Sequence, residues 1–206
     1  DDAILPEHDI VVFDEAHVLE DVMSDTVGVD LSPSRFSTVA STVRRIIDDP
    51  SLIASISDAG IAFGEIIEGH RGERLEIPLP ADVTAALVTA RGSLERASAV
   101  VNAIETDVED ARQRRLRAQV ILTRSTEIID RTLSPSADTV AFVSGAPGSP
   151  SLEIAPLDVG PTMEAGVWSR RTAILTSATV PRSLPERIVL PEPEVIVVGS
   201  PFDYGE

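Results

Sequence analysis

Cysteine and lysine are both absent from this 206-residue chain, and aromatic residues make up only 3% of it. Without cysteine there is no disulfide, no thiolate nucleophile and no cysteine-bound iron–sulfur cluster within these residues. Because all 17 basic residues are arginine, the G-x-x-x-x-G-K-[ST] loop that cradles nucleotide phosphates cannot be written anywhere in the chain. The scarcity of aromatics leaves no run of rings on which bases could stack. Positive charge is scarce as well: 34 acidic residues give a net charge of -17 and a pI near 4.4. Phosphate binding relies on positive surface, so any nucleic-acid contact has to be local, on a patch that escapes the general acidity. Neither a long apolar run nor a charged-apolar amino-terminal segment is present, which leaves no membrane span or signal peptide and points to a cytoplasmic setting with no membrane partner. An apolar content of 43% is enough for one substantial core, or for one medium domain and part of another.

The strongest positive signal lies near the amino terminus. Ile10-Val11-Val12-Phe13 reads as a buried strand and runs straight into Asp14-Glu15-Ala16-His17, two carboxylates and an imidazole at a strand's carboxyl end. A nucleotide-hydrolysing motor holds its magnesium and its water with such a group. A plainer reading makes Asp14 the cap, and Glu15 the acidic first turn, of a helix from Ala16 to Ser24. A zinc site is the other reading of His17, but His8, His17 and His70 show no H-E-x-x-H or comparable spacing. A second apolar strand, Ala173-Ile174-Leu175, runs into Thr176-Ser177-Ala178-Thr179. Alone that tetrad is weak, since hydroxyl residues are common in turns and caps.

From Leu31 to Ser134 the pattern is helical. Ser32 or Ser34 with Pro33 opens a helix through Ile47, and Asp49-Pro50 precedes another lined by Leu52, Ile53, Ile56, Ile61, Phe63, Ile66 and Ile67. Residues 69–80, rich in Gly and Pro, read as a loop. Then Leu87, Leu94, Val101, Val108, Leu122 and Ile129 recur every seven residues, with Ala90, Ala97, Ile104, Ala111 and Ala118 three places later, a heptad seam broken only at Arg115. An unbroken helix over 82–133 would be on the order of 75 Å long; a break near Gly92 or Thr106 gives a helix pair instead. Beyond Pro135, Val140–Val143 and Leu152–Ala155 read as short strands around a turn at Gly145–Pro150, and Val195–Val198 as a further strand. Strands at both ends with helices between predict an α/β sheet carrying a helical insertion.

Arg117, Arg124 and Arg131 fall seven apart on one helix stripe, with Arg114 one turn earlier, so that a single face could follow a phosphate backbone. Glu127, four before Arg131 and three after Arg124, suits the alternative of solvent-exposed ion pairs.

Taken in order, VVFDEAH, the helical stretch, APLDVGP (Ala155–Pro161), Trp168, TAILTSAT (Thr172–Thr179) and GSPFDY (Gly199–Tyr204) resemble the stretch from motif II to just past motif III of the DinG/XPD-like superfamily 2 DNA helicases. The resemblance implies strands of a RecA-like parallel sheet at both ends of the chain and, between them, the arch, a predominantly α-helical insertion that helps enclose single-stranded DNA. Residues 1–30 and 135–206 would then belong to the first motor domain and 31–134 to the arch. The resemblance further implies that Asp14 holds Mg²⁺ through water and that Glu15 polarises the water attacking ATP. His17, Ser177 and Thr179 would couple hydrolysis to movement on single-stranded DNA, 5′ to 3′. In many members a cysteine-bound iron–sulfur cluster lies upstream of motif II, so its presence in a longer parent is open. The chain starts at Asp1 without an initiator Met and ends where a second motor domain would begin, and so reads as an internal fragment, inactive by itself. Strands removed from their sheet would leave apolar edges through which the fragment self-associates. Two alternatives stand beside the helicase: an acidic helical module that docks a protein partner, and a P-loop ATPase or nuclease-linked relative in which the same motor drives something else.

Overall fold

The computed structural model describes residues 7–199. In chain order it contains β1 (Ile10–Phe13), a 3₁₀ turn (Ala16–Val18), α1 (Leu19–Val27), β2 (Val29–Leu31), α2 (Pro33–Val43), α3 (Pro50–Glu68), β3 (Arg74–Leu75), α4 (Ala81–Ala103), α5 (Glu109–Leu133), β4 (Thr139–Ala146) and β5 (Ser149–Pro156). There follow α6 (Gly160–Met163), a π turn (Glu164–Trp168), β6 (Thr172–Leu175) and α7 (Leu184–Arg187). The fold is α/β with a helical insertion. The chain divides within α1 and again after Leu157, giving one unit of Ser24–Leu157 and another of the described residues up to Met23 together with those from Asp158.

In the unit spanning Ser24–Leu157, α2 packs on α3 and α5, α3 on α4, and α4 on α5. α3 starts where its sequence says it should. Asp49 accepts the Leu52 N–H at 3.0 Å ahead of Pro50, satisfying a donor the helix cannot satisfy itself. Phe36 and Phe63 lie with ring centroids 5.9 Å apart between α2 and α3. The heptad seam is buried: Leu87, Ala90, Leu94, Ala97 and Val101 on α4 and Ala118, Leu122 and Ile129 on α5 exclude solvent completely, each large aliphatic contributing about 1.5–3 kcal/mol. α3 is apolar and long enough to cross a membrane by length and composition, but its Leu52, Ile53, Ile56, Phe63 and Ile67 form this core.

The seam belongs to two helices, broken at Ile104–Val108, so Val108 lies exposed in the turn. Arg115, the one misfit in the heptad, has a structural task. Its Nε donates to the Val101 carbonyl at 3.2 Å and its Nη2 to that of Asn102 at 3.1 Å, supplying donors to carbonyls in the last turn of α4. Near the other end Arg91 Nε meets Asp130 Oδ1 at 2.7 Å, which makes the pair an antiparallel hairpin.

The same unit also holds an antiparallel sheet of order β2-β5-β4-β3, larger than the two short strands read from the sequence. β2 pairs Val29–Leu31 with Ile154–Leu152, and β3 arises inside the expected loop by pairing Arg74 and Leu75 with Phe142 and Ala141. These pairings tie residues 139–156 to the helical unit, so the chain divides at 23/24 and 157/158, whereas the sequence pattern placed the breaks at 30/31 and 134/135. In the other unit β1 and β6 form a parallel pair, and a small core gathers Ala16, Leu19, Met163, Trp168, Leu184 and Ile188. Val195–Val198, expected as a strand, has no ladder partner among the described residues and runs exposed. Of the GSPFDY string, Ser200–Tyr204 lie outside the described residues.

Candidate active site

The β1–β6 register, Ile10↔Thr172 through Phe13↔Leu175, brings the next residue of each strand, Asp14 and Thr176, side by side. The backbone carries the ladder one step further: Thr176 N–H donates to the Phe13 carbonyl at 2.9 Å, and Ala16 N–H to that of Thr176 at 2.9 Å. Phe13 meets Trp168 edge-on at 6.0 Å, and the Trp168 indole donates to the Ile188 carbonyl at 2.7 Å. Both strand ends are thus held by packing beneath the polar cluster.

Asp14 does not cap a helix. Its Oδ1 accepts the Glu15 N–H at 3.0 Å and the Thr176 hydroxyl at 2.8 Å. Glu15 turns the chain through the left-handed region, φ 52 and ψ 43, a conformation that side chains resist, and a 3₁₀ turn follows in place of a regular first helical turn. Glu15 and His17 consequently project together. His17 Nδ1 lies 3.2 Å from Glu15 Oε2 and 3.0 Å from Ser177 Oγ, and Ser177 Oγ lies 3.4 Å from Glu15 Oε2. Thr179 reaches this group through its backbone, its N–H donating to Ser177 Oγ at 3.3 Å; among the described residues its side chain makes no bond to the carboxylates. Asp14, Glu15, His17 and Ser177 are therefore gathered in one exposed cluster that joins the two strand ends.

Among the described residues no three His, Asp or Glu side chains gather as a closed metal cage. Asp14 suits a different kind of ion: one carboxylate oxygen is saturated by protein donors, and the other accepts none among the described residues. Magnesium is commonly held in this way, by one or two carboxylates together with water and substrate phosphates. Sequence reasoning singled out Ser177 and Thr179 but passed over Thr176. The signal was present, since two strands that end at Phe13 and Leu175 in parallel register must place positions 14 and 176 together.

The four arginines of the stripe lie on α5, all exposed. Arg131 is committed elsewhere, its Nη2 donating to the Gly28 carbonyl at 3.0 Å and to that of Val27. Arg114, Arg117 and Arg124 have no ion-pair partner among the described residues, and Glu127 pairs with neither Arg124 nor Arg131. The outer face of α5 is an open basic strip of three arginines.

No family model matches the chain. It is 28% identical over 188 residues to the ATP-dependent helicase DinG of Mycobacterium tuberculosis (strain ATCC 25177 / H37Ra), a match covering 86% of this chain and 28% of that protein. The likeness to the ATP-dependent helicase DinG of Mycobacterium bovis has the same extent. The chain thus spans 28% of the length of these curated relatives. Among solved structures, that of S. tokodaii Xpd4 aligns over 84% of this chain and 34% of that one, at 17% sequence identity and a TM-score of 0.44.

Proposed function

We propose that this chain, a DinG/XPD-like helicase segment by its similarity to DinG across 86% of its length, is the motif II to motif III portion of an ATP-dependent DNA helicase. In that reading the parent couples hydrolysis of Mg-ATP to 5′-to-3′ movement on single-stranded DNA in the cytoplasm. One observation carries the reading: the carboxylates following β1 and the hydroxyls following β6 are joined by hydrogen bonds. Such contacts tie the hydrolytic groups to the end of a second strand, from which a change at one site reaches the other.

Asp14 would hold the magnesium through water on its free oxygen, and the ion would neutralise charge on the transferring phosphate. Glu15 would accept hydrogen bonds from the attacking water and orient it. In the arrangement described above, its carboxylate is engaged by His17 and Ser177; release by both would free it, which makes Ser177 and His17 the coupling pair and gives Thr179 the supporting role of fixing Ser177. The unit Ser24–Leu157 would be the arch, with Arg114, Arg117 and Arg124 tracking a DNA backbone. With no lysine in the chain to grip the nucleotide's phosphates, ATP turnover would require the rest of the parent.

A second reading, protein docking on α5, draws support from Leu116 and Val120, both exposed and one turn apart on the arginine face. The test is ATP hydrolysis by the full-length parent with and without single-stranded DNA, beside a Glu15→Gln variant. DNA-stimulated turnover that falls by at least about a thousandfold in Glu15→Gln is the expected result, the upper range for a single catalytic group. A folded parent that never hydrolyses ATP would sink the motor and leave the docking module.

A further inference from the structure

We propose that Thr176 is a positioning residue for the metal-binding carboxylate, a role that rests on the reading of Asp14 just given. The side chain of Asp14 ends in a broad, nearly two-fold torsion, so by itself it does not choose which oxygen faces outward. Two donors make that choice. The Glu15 N–H and the Thr176 hydroxyl both converge on Oδ1, at 3.0 and 2.8 Å. The other oxygen of this exposed residue accepts no hydrogen bond among the described residues and is left for an arriving ion.

Thr176 is suited to this because it cannot drift. Its N–H is bound to the Phe13 carbonyl and its own carbonyl to the Ala16 N–H, each at 2.9 Å, so its Cα is locked to the backbone on both sides of Asp14. As a β-branched residue it also has few χ1 states, and its hydroxyl therefore reaches Asp14 from a nearly fixed point. The neighbouring Ser177 then touches His17 and Glu15. Consecutive residues after β6 thus address the two carboxylates separately: Thr176 orients the one that holds the ion, and Ser177 engages the one that holds the water. A hydroxyl in a turn more often serves only local structure, and a test must separate these roles.

The experiment uses the full-length parent carrying Thr176→Val, which keeps the shape but loses the hydroxyl, and Thr176→Ser, which keeps the hydroxyl. A fluorescent non-hydrolysable ATP analogue is bound while Mg²⁺ is titrated, and Mn²⁺ retention with the same analogue is read by electron paramagnetic resonance. Loss of a partner that orients a metal ligand typically weakens the ion roughly tenfold to a hundredfold. The Mg²⁺ midpoint of the valine variant should rise by about that factor, with serine within roughly twofold of wild type and Mn²⁺ retention following the same order. Should the valine variant fail to fold, the serine and alanine variants carry the same comparison. An unchanged midpoint in Thr176→Val or Thr176→Ala, while Asp14→Asn still abolishes metal-dependent nucleotide binding, overturns the positioning role and leaves the helicase reading standing. An unchanged midpoint in Asp14→Asn itself would remove the reading and the inference together.

Discussion

Glu15 occupies the left-handed region without being glycine, which costs a residue with a side chain about 1–2 kcal/mol. Strain of this kind persists where surrounding structure over-determines it, and here the over-determination is visible: Asp14 fixed by Thr176, and Ala16 buried with its N–H bound to the Thr176 carbonyl. Glu15→Gly and Glu15→Gln both remove the carboxylate, but only glycine removes the strain. Net of glycine's greater entropy when unfolded, the glycine variant should be the more stable by roughly 0.5–1 kcal/mol, measured by urea unfolding. A glutamine variant of equal or greater stability would show that the turn carries no strain. Sequence periodicity could not reveal this, because an acidic pair before an apolar helix looks like a cap whether the backbone enters the helix smoothly or through a left-handed turn. The gathering of Asp14, Glu15, His17 and Ser177 was legible in the order of the motifs; the orientation set by Thr176 needed the strand register.

At the scale of elements, the seam was readable because burial selects small and aliphatic residues at a fixed period, whichever way the helix is interrupted. Two glycines separate packing from propensity. Gly60 faces Phe36 so closely that an added Cβ would lie 2.5 Å from its Cβ; Gly60→Ala should cost about 1–3 kcal/mol by overpacking. Gly92 lies inside α4, where an added Cβ would meet only the end of the Arg96 side chain at 3.6 Å, and Gly92→Ala should stabilise by roughly 0.5–1 kcal/mol. Thermal unfolding of the two variants should shift in opposite directions, and a loss in both would refute the account of Gly92. The arginine face divides the same way. Replacing Arg114, Arg117 and Arg124 with alanine should weaken binding of single-stranded DNA by the full-length parent and flatten its salt slope, whereas Arg131→Ala should lower stability and leave the slope unchanged. Equal slopes for the triple variant and wild type would end the phosphate-tracking idea. At the start of α4 the Asp82 carboxyl is held below its usual range, chiefly by the Val83 N–H it accepts and then by His70. A lowered value stabilises above the ordinary aspartate range and is lost as the pH falls through it. Asp82→Asn should therefore be less stable than wild type at neutral pH, the gap closing in urea titrations as the pH falls below the ordinary aspartate range.

At the scale of the whole molecule, the two units are built unequally. Ser24–Leu157 owns one continuous core with four helices and a four-stranded sheet, while the other unit rests on a handful of buried side chains and two strands. The compact units differ in bounds from the sequence-read zones because a two-stranded return such as β4–β5 looks the same in sequence whichever sheet it joins, and only pairing with β2 and β3 places it in the unit Ser24–Leu157. The same dependence on pairing explains Val195–Val198, whose apolar residues read as a strand but whose ladder requires a neighbour. Parallel sheets are normally covered on both faces, yet Ile10 and Val12 of β1 are 57% and 60% exposed, and Ile174 beside them 46%. The exposed face and open strand edges offer apolar surface and unpaired backbone groups together, the combination by which chains join. This chain in isolation should therefore self-associate, its mean mass by light scattering rising with concentration, and the exposed β1 face rather than the helical unit should carry the effect. Val12→Lys, which places a charge on that face, should restore a concentration-independent monomer, while the same change at exposed Val88 of α4 should leave association intact. A wild-type chain that stays monomeric at high concentration would contradict the argument at its root, and rescue by Val88→Lys as readily as by Val12→Lys would move the contact from the sheet to the helices.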